Sequence, residues 1–465
     1  MLPNVLFILA DDLGYGDFGC LNGGVSSTPV LDQLMGEGVC FSQHYSGSPV
    51  CNPSRAALLT GRYPHRTGSI DTLEWRGLER LSLEETTLAD VLRGAGYRTG
   101  LIGKWHLGSF DPRYHPVERG FDEALCFRGG MHDYYDWRLE SGRGVVRGDG
   151  RYLTDVWTEA AIDFIGRDPS RPFFLHLNYN APHTPLQAPE EDVAPFRERE
   201  GVNAEVATLY GMIKRMDTGI GALLETLEGR GLLENTLVIF TSDNGPQFGF
   251  AGDPERLSRA NCQLNGAKGS VYEGGIRVPL LMRWPGGLAE RREIREMVHF
   301  CDWFPTLLGL LGIRHEPEFP LDGVDQSGLL RGDSGGYPED RYWQWNRYTP
   351  EVSCNAAVRS GDWKLVRPAI REAMQVFCGD PWLRISMYEP ERILKEGLVA
   401  DPIPEREIPP APPPELYHIG DDPREETNLA GDHPERVRSL QDKLDSWFES
   451  VEAERRGLPD RPHAF

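Results

Sequence analysis

The sequence contains no apolar run approaching the roughly 18 residues needed to span a bilayer. Its first apolar run, Val5 to Ala10, gives way at once to Asp11-Asp12. No basic segment and no small-residue cleavage site accompanies that run, so it reads as a buried strand and not as a secretion signal. Positive charge is in deficit: 49 Lys+Arg face 71 Asp+Glu, a formal net charge of −22. That argues against a broad nucleic-acid surface but leaves room for a small basic pocket around an anionic ligand. The eight cysteines, at positions 20, 40, 51, 126, 262, 301, 354 and 378, lack the paired short spacing of zinc sites and dense disulfide frames. Seven of them, all but Cys51, read as reduced and mostly buried thiols. No internal repeat is visible. The expectations are no nucleic-acid partner, no membrane partner, and a cytoplasmic location as written, or periplasmic or secreted if a signal peptide has been removed. Oligomeric state is not indicated.

What is present is ordinary globular material, 39% hydrophobic and 26% charged. At 465 residues the chain exceeds the roughly 250–300 at which a single core stops growing, which implies two units. Four strand-length apolar runs, Val5–Ala10, Thr99–Gly103, Phe173–Tyr179 and Thr236–Thr241, lack polar alternation, as strands buried on both faces do. Helical patterns fall between them, from Leu83 to Arg93 and from Ala204 to Gly229. Strands alternating with helices predict a parallel sheet covered on both faces. After residue 340 the pattern changes. Arg341–Trp345, a hairpin within Ala356–Val366 turning at Ser360-Gly361-Asp362, and Glu415–Ile419 read as a small antiparallel sheet, closed by a helix from Pro434 to about Glu452. Asp401–Pro414, with seven prolines, reads as an extended surface loop.

Each buried run ends in polar residues: Asp11-Asp12, Lys104-Trp105-His106, Pro182-His183 and Asp243-Asn244-Gly245. Ligands of open α/β sheets bind outside the carboxyl ends of the strands, so these four clusters are expected to share one site. The sharpest segment is Ser48-Pro49-Val50-Cys51-Asn52-Pro53-Ser54-Arg55-Ala56-Ala57-Leu58-Leu59-Thr60-Gly61. Pro53 suits the first turn of a helix. Cys51 then sits at the helix N-terminus, where the dipole favours negative charge, and Arg55 lies one turn in. The segment is either a nucleophile facing an anion or a buried cysteine before an ordinary helix.

Cys51-x-Pro53-Ser54-Arg55 with Leu58-Leu59-Thr60-Gly61 resembles the signature of the formylglycine-dependent sulfatases, arylsulfatase-like members of the alkaline phosphatase superfamily. Gly96-Tyr97-Arg98-Thr99-Gly100-Leu101-Ile102-Gly103-Lys104-Trp105-His106 is similar to that family's second signature. Asp11-Asp12, Ala181-Pro182-His183, Ser242 to Gly245, Lys268 to Gly275, Arg277-Val278-Pro279, Leu416-Tyr417 and Asp422 to Leu429 follow the family's order across nearly the whole chain. One departure is Asn52, where the family usually carries a smaller residue.

The resemblance implies an α/β fold with a large mixed, mostly parallel sheet sandwiched by helices, and a smaller C-terminal antiparallel sheet plus helix. The catalytic unit would span 1–340 and the C-terminal subdomain 341–465. It implies hydrolysis of an organic sulfate monoester, a sulfated carbohydrate or an aryl sulfate, to alcohol and inorganic sulfate. Cys51 would be oxidised by a formylglycine-generating enzyme to an aldehyde whose hydrate attacks sulfur with one hydroxyl and expels sulfate with the other. Asp11, Asp12, Asp243, Asn244 and residue 51 would hold a divalent cation, calcium or else magnesium. Arg55, Lys104 and Lys268 would offer positive charge to the sulfate and the nucleophile. His106 would hold or deprotonate the hydrate, and His183, together with Lys268, would serve as acid toward the leaving oxygen. His44, His65, His115 and His176 receive no role. The stretch Arg128–Arg138, including His132, is a candidate wall of the substrate pocket, and 128–151, 249–264 and 367–414 are candidate specificity loops.

Three rivals share parts of this pattern. Phosphonate monoester or phosphodiester hydrolases typically carry Gln at the second N-terminal acid and His where this chain has Asn244. Alkaline phosphatases use a Ser or Thr nucleophile and His-rich zinc sites. An inactive sulfated-glycan-binding relative would leave Cys51 unmodified. Asp12, Asn244 and the intact Cys51 motif favour the sulfatase.

Overall fold

The computed structural model describes residues 2–142, 144–168, 170–248, 259–333, 338–376, 383–396 and 405–459. Its strands in chain order are β1 (Asn4–Ala10), β2 (Val39–Phe41), β3 (His44–Tyr45), β4 (Arg98–Lys104), β5 (Glu123–Phe127), β6 (Arg138–Ser141), β7 (Gly144–Arg147) and β8 (Phe173–Asn178). There follow β9 (Thr236–Ser242), β10 (Leu280–Arg283), β11 (Arg292–Ile294), β12 (Val298–His299), β13 (Asp340–Gln344), β14 (Ala356–Ser360), β15 (Trp363–Arg367) and β16 (Glu415–His418). Ten of them form one sheet in the order β11-β2-β10-β9-β1-β8-β4-β5-β6-β7. Its centre, β9 to β5, is parallel, and antiparallel neighbours flank it on both sides.

β1 explains why the central strands show no polar alternation. Val5, Phe7 and Leu9 enter one apolar cluster and Leu6, Ile8 and Ala10 enter another, so both faces are core. The second cluster is covered by the helices Pro29–Glu37, Leu153–Gly166 and Ala204–Gly229. The first is covered by Cys51–Thr60, Leu88–Gly94 and Trp303–Leu311. The helix expected from Leu83 begins at Leu88 instead. The Thr87 hydroxyl accepts the Asp90 N–H and the Asp90 carboxylate accepts the Thr87 N–H, a capping box that fixes the start.

β13 to β16 form a separate antiparallel sheet, with the Ala356–Ser360/Trp363–Arg367 hairpin as expected. The terminal helix runs on to Gly457, one turn beyond the expected end. Its Leu440, Leu444 and Trp447 join Val358 and Leu365 in the same apolar cluster as Leu59 and Tyr63, so one core spans both sheets. A buried charge cluster adds to the joint. Lys364 Nζ lies 2.9 Å from Glu273 Oε1 and 2.8 Å from Glu425 Oε1, and the Glu273 N–H donates to Glu425 Oε2 at 2.7 Å. The late Asp422–Leu429 motif therefore clamps the Lys268–Gly275 segment from behind. The prolines of 401–404 lie outside the described residues. From 405 to 414 the chain has no regular structure and is largely exposed.

Candidate active site

β9, β1, β8 and β4 are consecutive neighbours, and their registers bring the four polar ends level. Ala10 pairs with Ser242, Leu9 with Asn178, and Gly103 with Asn178. At the roughly 4.8 Å spacing of strands, Asp11-Asp12, Asp243-Asn244, Lys104 and the segment leading to His183 leave the sheet side by side. The Asp243 N–H donates to Ala10 O at 3.1 Å and the Asp11 N–H to Ala181 O at 3.2 Å. Gly103 makes the β4 end possible. Its φ is 109°, and a Cβ there would lie 1.9 Å from Asn178 O.

The Cys51–Thr60 helix points its N-terminus at these ends. Val50 is its extended N-cap and Cys51, 2% exposed, its first residue. Arg55 reaches back one turn to donate from Nε and Nη2 to Asp243 Oδ2, at 2.9 and 2.7 Å, and from Nη1 to Lys104 O at 3.2 Å. Lys104 Nζ donates to Asp11 Oδ2 at 2.6 Å. Lys268 Nζ lies 2.7 Å from Asp12 Oδ1 and 2.9 Å from Oδ2, and Asn244 Nδ2 donates to Asp12 Oδ1 at 2.7 Å. His183 Nε2 stands 3.8 Å from Asp12 Oδ2, while its Nδ1 lies 2.7 Å from Thr184 O. Tyr134 holds that loop by donating to Asn180 O and His183 O. Asp12 and His106 sit at φ 68° and 56°, left-handed conformations that cost energy in non-glycine residues.

The electrostatics follow from burial and close charges. Burial would raise Asp12, but Lys268 and His183 outweigh it and hold the carboxyl well below its usual range. Burial and the neighbouring Asp11 push Asp243 up to about 6. Burial and the Lys268 charge push His183 down to about 3. Burial, Lys104 and Arg55 drive His106 well below its ordinary value, so its ring is neutral. Burial raises the Cys51 thiol against the pull of Lys104 and Lys268, which keeps the unmodified side chain a thiol.

Two buried oxygens, Asp11 Oδ1 and Asn244 Oδ1, have no hydrogen-bond partner among the described residues. Asp11, Cys51 and Asp243 offer ligand atoms within 4.8 Å of one another, as do Asp11, Asp12 and His183. Partnerless buried oxygens beside three carboxylates fit a hard cation taken by oxygen ligands. Above them opens a cavity of about 480 Å³. Cys51, His106, His183 and the Lys268 ammonium form its polar floor, and Trp75, Met131, Phe248, Trp345 and Arg347 stand in its walls.

A model of the sulfatase family matches residues 3–313, two thirds of the chain, and carries the strand ends and the Cys51 helix together. The chain belongs to the sulfatase family. A second model, the C-terminal part of N-sulphoglucosamine sulphohydrolase, matches residues 267–377. Arylsulfatase A of Homo sapiens is 34% identical, over 94% of this chain and 86% of that protein. N-acetylgalactosamine-6-sulfatase of Canis lupus familiaris is 33% identical, over 73% of this chain and 67% of that one. Among solved structures, Ps i-CgsB in complex with k-i-k-neocarrahexaose superposes with a TM-score of 0.79 at 29% identity, covering 100% of this chain and 95% of that one. The protein is accordingly a sulfuric ester hydrolase of the alkaline phosphatase superfamily.

Within this sulfatase, every site residue expected from the sequence lies in or beside the one cluster, apart from the pocket wall. His132 does not line the main cavity: its Nε2 accepts the Arg138 N–H and its ring packs edge-on to Phe127 and Tyr388. Gly130 and Met131 reach the cavity in its place. Of the expected specificity loops, 249–258 lies outside the described residues. His44, His65 and His176 are buried away from the cavity, the first two against Trp303 and Gln344. Sequence reasoning missed three features. The cations pair with the site's own carboxylates. Trp345 and Arg347 enter the cavity from beyond β13. Asn52 ties the Cys51 helix to the Lys104–His106 loop, donating to both Glu79 O and His106 O at 2.7 Å.

Proposed function

We propose that residue 51 is the nucleophile that cleaves the S–O bond of a sulfated carbohydrate or aryl sulfate whose alcohol part occupies the cavity. The reading rests on one observation above the others: four strand ends and a helix N-terminus bring Cys51, three cations and two partnerless oxygens to one point. Oxidation of Cys51 to formylglycine by a formylglycine-generating enzyme supplies the attacking hydroxyl as an aldehyde hydrate. Asp11, Asp12, Asp243, Asn244 and residue 51 would hold calcium, with magnesium the poorer fit, and the ion would supply Lewis-acid polarisation of a sulfate oxygen.

The remaining roles belong to this chain's own side chains. Arg55, Lys104 and Lys268 balance Asp11, Asp12 and Asp243 one for one, so a dication leaves an excess of positive charge for a sulfate monoanion. Lys104 and Arg55, held by Asp11 and Asp243, are oriented before substrate arrives. His106, neutral and buried at the floor, accepts a proton from the hydroxyl on residue 51. His183 rests unprotonated at Nε2 because Nδ1–H is committed to Thr184 O. An anionic sulfate beside it raises its basicity, so it takes up a proton with the substrate and delivers it to the leaving oxygen. Lys268 holds the sulfate in line. The indoles of Trp75 and Trp345 give the leaving group flat apolar faces suited to a sugar or an aryl ring. Residues 1–340 form the catalytic unit, and 341–465 a subdomain that closes the cavity through Trp345 and Arg347.

The test is sulfate release by protein co-produced with a formylglycine-generating enzyme, over a panel of sulfated sugars and an aryl sulfate. The mass of the peptide carrying residue 51 is read in the same samples. Aldehyde at residue 51 and multiple turnovers are expected. A phosphonate monoester with a higher kcat/KM than every sulfate would reverse the choice of substrate.

A further inference from the structure

Outside the family motifs, the cavity carries one more carboxylate. Glu74 opens the 3-10 turn Glu74–Arg76, lines the cavity and is buried. Its Oε1 accepts the Gly130 N–H and lies 3.8 Å from His106 Nε2. Both ring nitrogens of His106 are buried without a hydrogen-bond partner among the described residues. A neutral imidazole carries one N–H and one lone pair, and the hydrogen bond at one nitrogen fixes the other. With a carboxylate facing Nε2, the proton belongs on Nε2 and the lone pair on Nδ1.

The space for this pair is built by two glycines. A Cβ on Gly130 would lie 2.8 Å from His106 Cε1, 2.9 Å from Nε2 and 3.0 Å from Glu74 Oε1. A Cβ on Gly129 would lie 3.0 Å from both Glu74 oxygens. A side chain at either position would have to push the carboxylate, and at position 130 the ring as well, from where they stand. Asn52 donates to the His106 carbonyl at 2.7 Å and so anchors the backbone that carries the ring.

We propose that Glu74 is a positioning residue of the reaction: it fixes His106 as the Nε2–H tautomer and turns the Nδ1 lone pair toward residue 51. The proposal rests on the role given to His106 above. The 3.8 Å separation shortens to a hydrogen bond once substrate fills the cavity, as catalytic hydrogen bonds commonly do. Among the described residues, Glu79, Lys104, His106, Ser386 and the Gly130 N–H face Glu74. Burial and the Glu79 charge push the Glu74 carboxyl up to about 7, so the full negative charge that favours the Nε2–H tautomer develops as pH rises through neutrality.

The experiment is a double-mutant cycle with Glu74→Gln and His106→Ala in the full, matured chain, assayed with p-nitrophenyl sulfate across pH 5–9. Glu74→Gln alone is expected to lower kcat on the order of 10²-fold, with KM moving less than about threefold. It is also expected to remove the wild-type rise in kcat near pH 7. In the His106→Ala background the same change costs nothing further. Equal fold losses in both backgrounds, or an unchanged kcat and pH profile in Glu74→Gln, overturn the inference while leaving the function intact. A matured wild-type protein that releases no sulfate overturns the role of His106 and the inference with it.

Discussion

Asn52 offers a test in which chemistry and size predict opposite orders. The side chain is fully buried in the first turn of the Cys51 helix. Its amide donates to Glu79 O and to His106 O, each at 2.7 Å, and its Oδ1 accepts the Ser69 hydroxyl at 3.1 Å. Asn52→Ala removes all three bonds. At about 1 kcal/mol each, the loss is about 3 kcal/mol. Glu79 O keeps the Ser69 hydroxyl at 3.2 Å, so the His106 carbonyl is the group left alone. Freed by even 1 Å, the His106 loop is expected to cost about 10²-fold in kcat. Asn52→Asp nearly preserves volume and the Ser69 bond but sets a carboxylate against two carbonyl oxygens. At pH 8 the Asp variant should therefore be less stable than the Ala variant, and it should recover in acid as its carboxyl protonates. Urea midpoints from tryptophan fluorescence and kcat on an aryl sulfate read both effects. If Asp is tolerated better than Ala at pH 8, filling of space and not amide donation holds the helix to the loop, and the reasoning fails.

Asp243→Ala should lose bound metal and activity together and, by leaving Arg55 buried without its main partner, about 3–5 kcal/mol of stability. Full metal occupancy by elemental analysis would contradict the assignment. Glu74 has a folded-state proton affinity raised from the usual 4.5 to about 7, so wild-type stability falls as pH rises through that window and stays low above it. Glu74→Gln should be more stable than wild type above pH 7 by about 3 kcal/mol and equal to it near pH 4. Thermal unfolding at the two pH values reads the difference, and a variant less stable at pH 8 would refute it. Thr87→Ala should cost about 1 kcal/mol by removing the capping box of Leu88–Gly94, read as a lower urea midpoint with kcat unchanged.

The parallel centre of the sheet was legible because strands buried on both faces are apolar without interruption, as β1, β4, β8 and β9 are. Their polar ends pointed to one site because adjacency in a parallel sheet needs only strand order and register. Leu83–Thr87 read as helix because the capping box at Thr87 and Asp90 is weaker as a pattern than the leucines before it. Glu74 and Asn52 carry no motif: a buried carboxylate facing a histidine, or an amide bridging two loops, is set by tertiary approach between segments whose spacing is arbitrary. Trp345 and Arg347 were hidden because the rule that places ligands at strand ends says nothing of the antiparallel sheet. Within Arg128–Arg138 the cavity is lined by Gly130 and Met131 and not by His132, because a ring that suits a sugar site also packs well in a small polar core, as His132 does against Phe127.

The most direct measurement is steady-state turnover of Cys51→Ser with residue 51 shown by mass to be unmodified serine. A serine hydroxyl beside Arg55 and the acidic cluster can attack sulfur once, but it lacks the second hydroxyl that would expel sulfate. The account predicts almost no steady-state release and a covalent sulfate accumulating on residue 51. Turnover within a few-fold of the matured protein would contradict it, because residue 51 would then be a bystander to the chemistry.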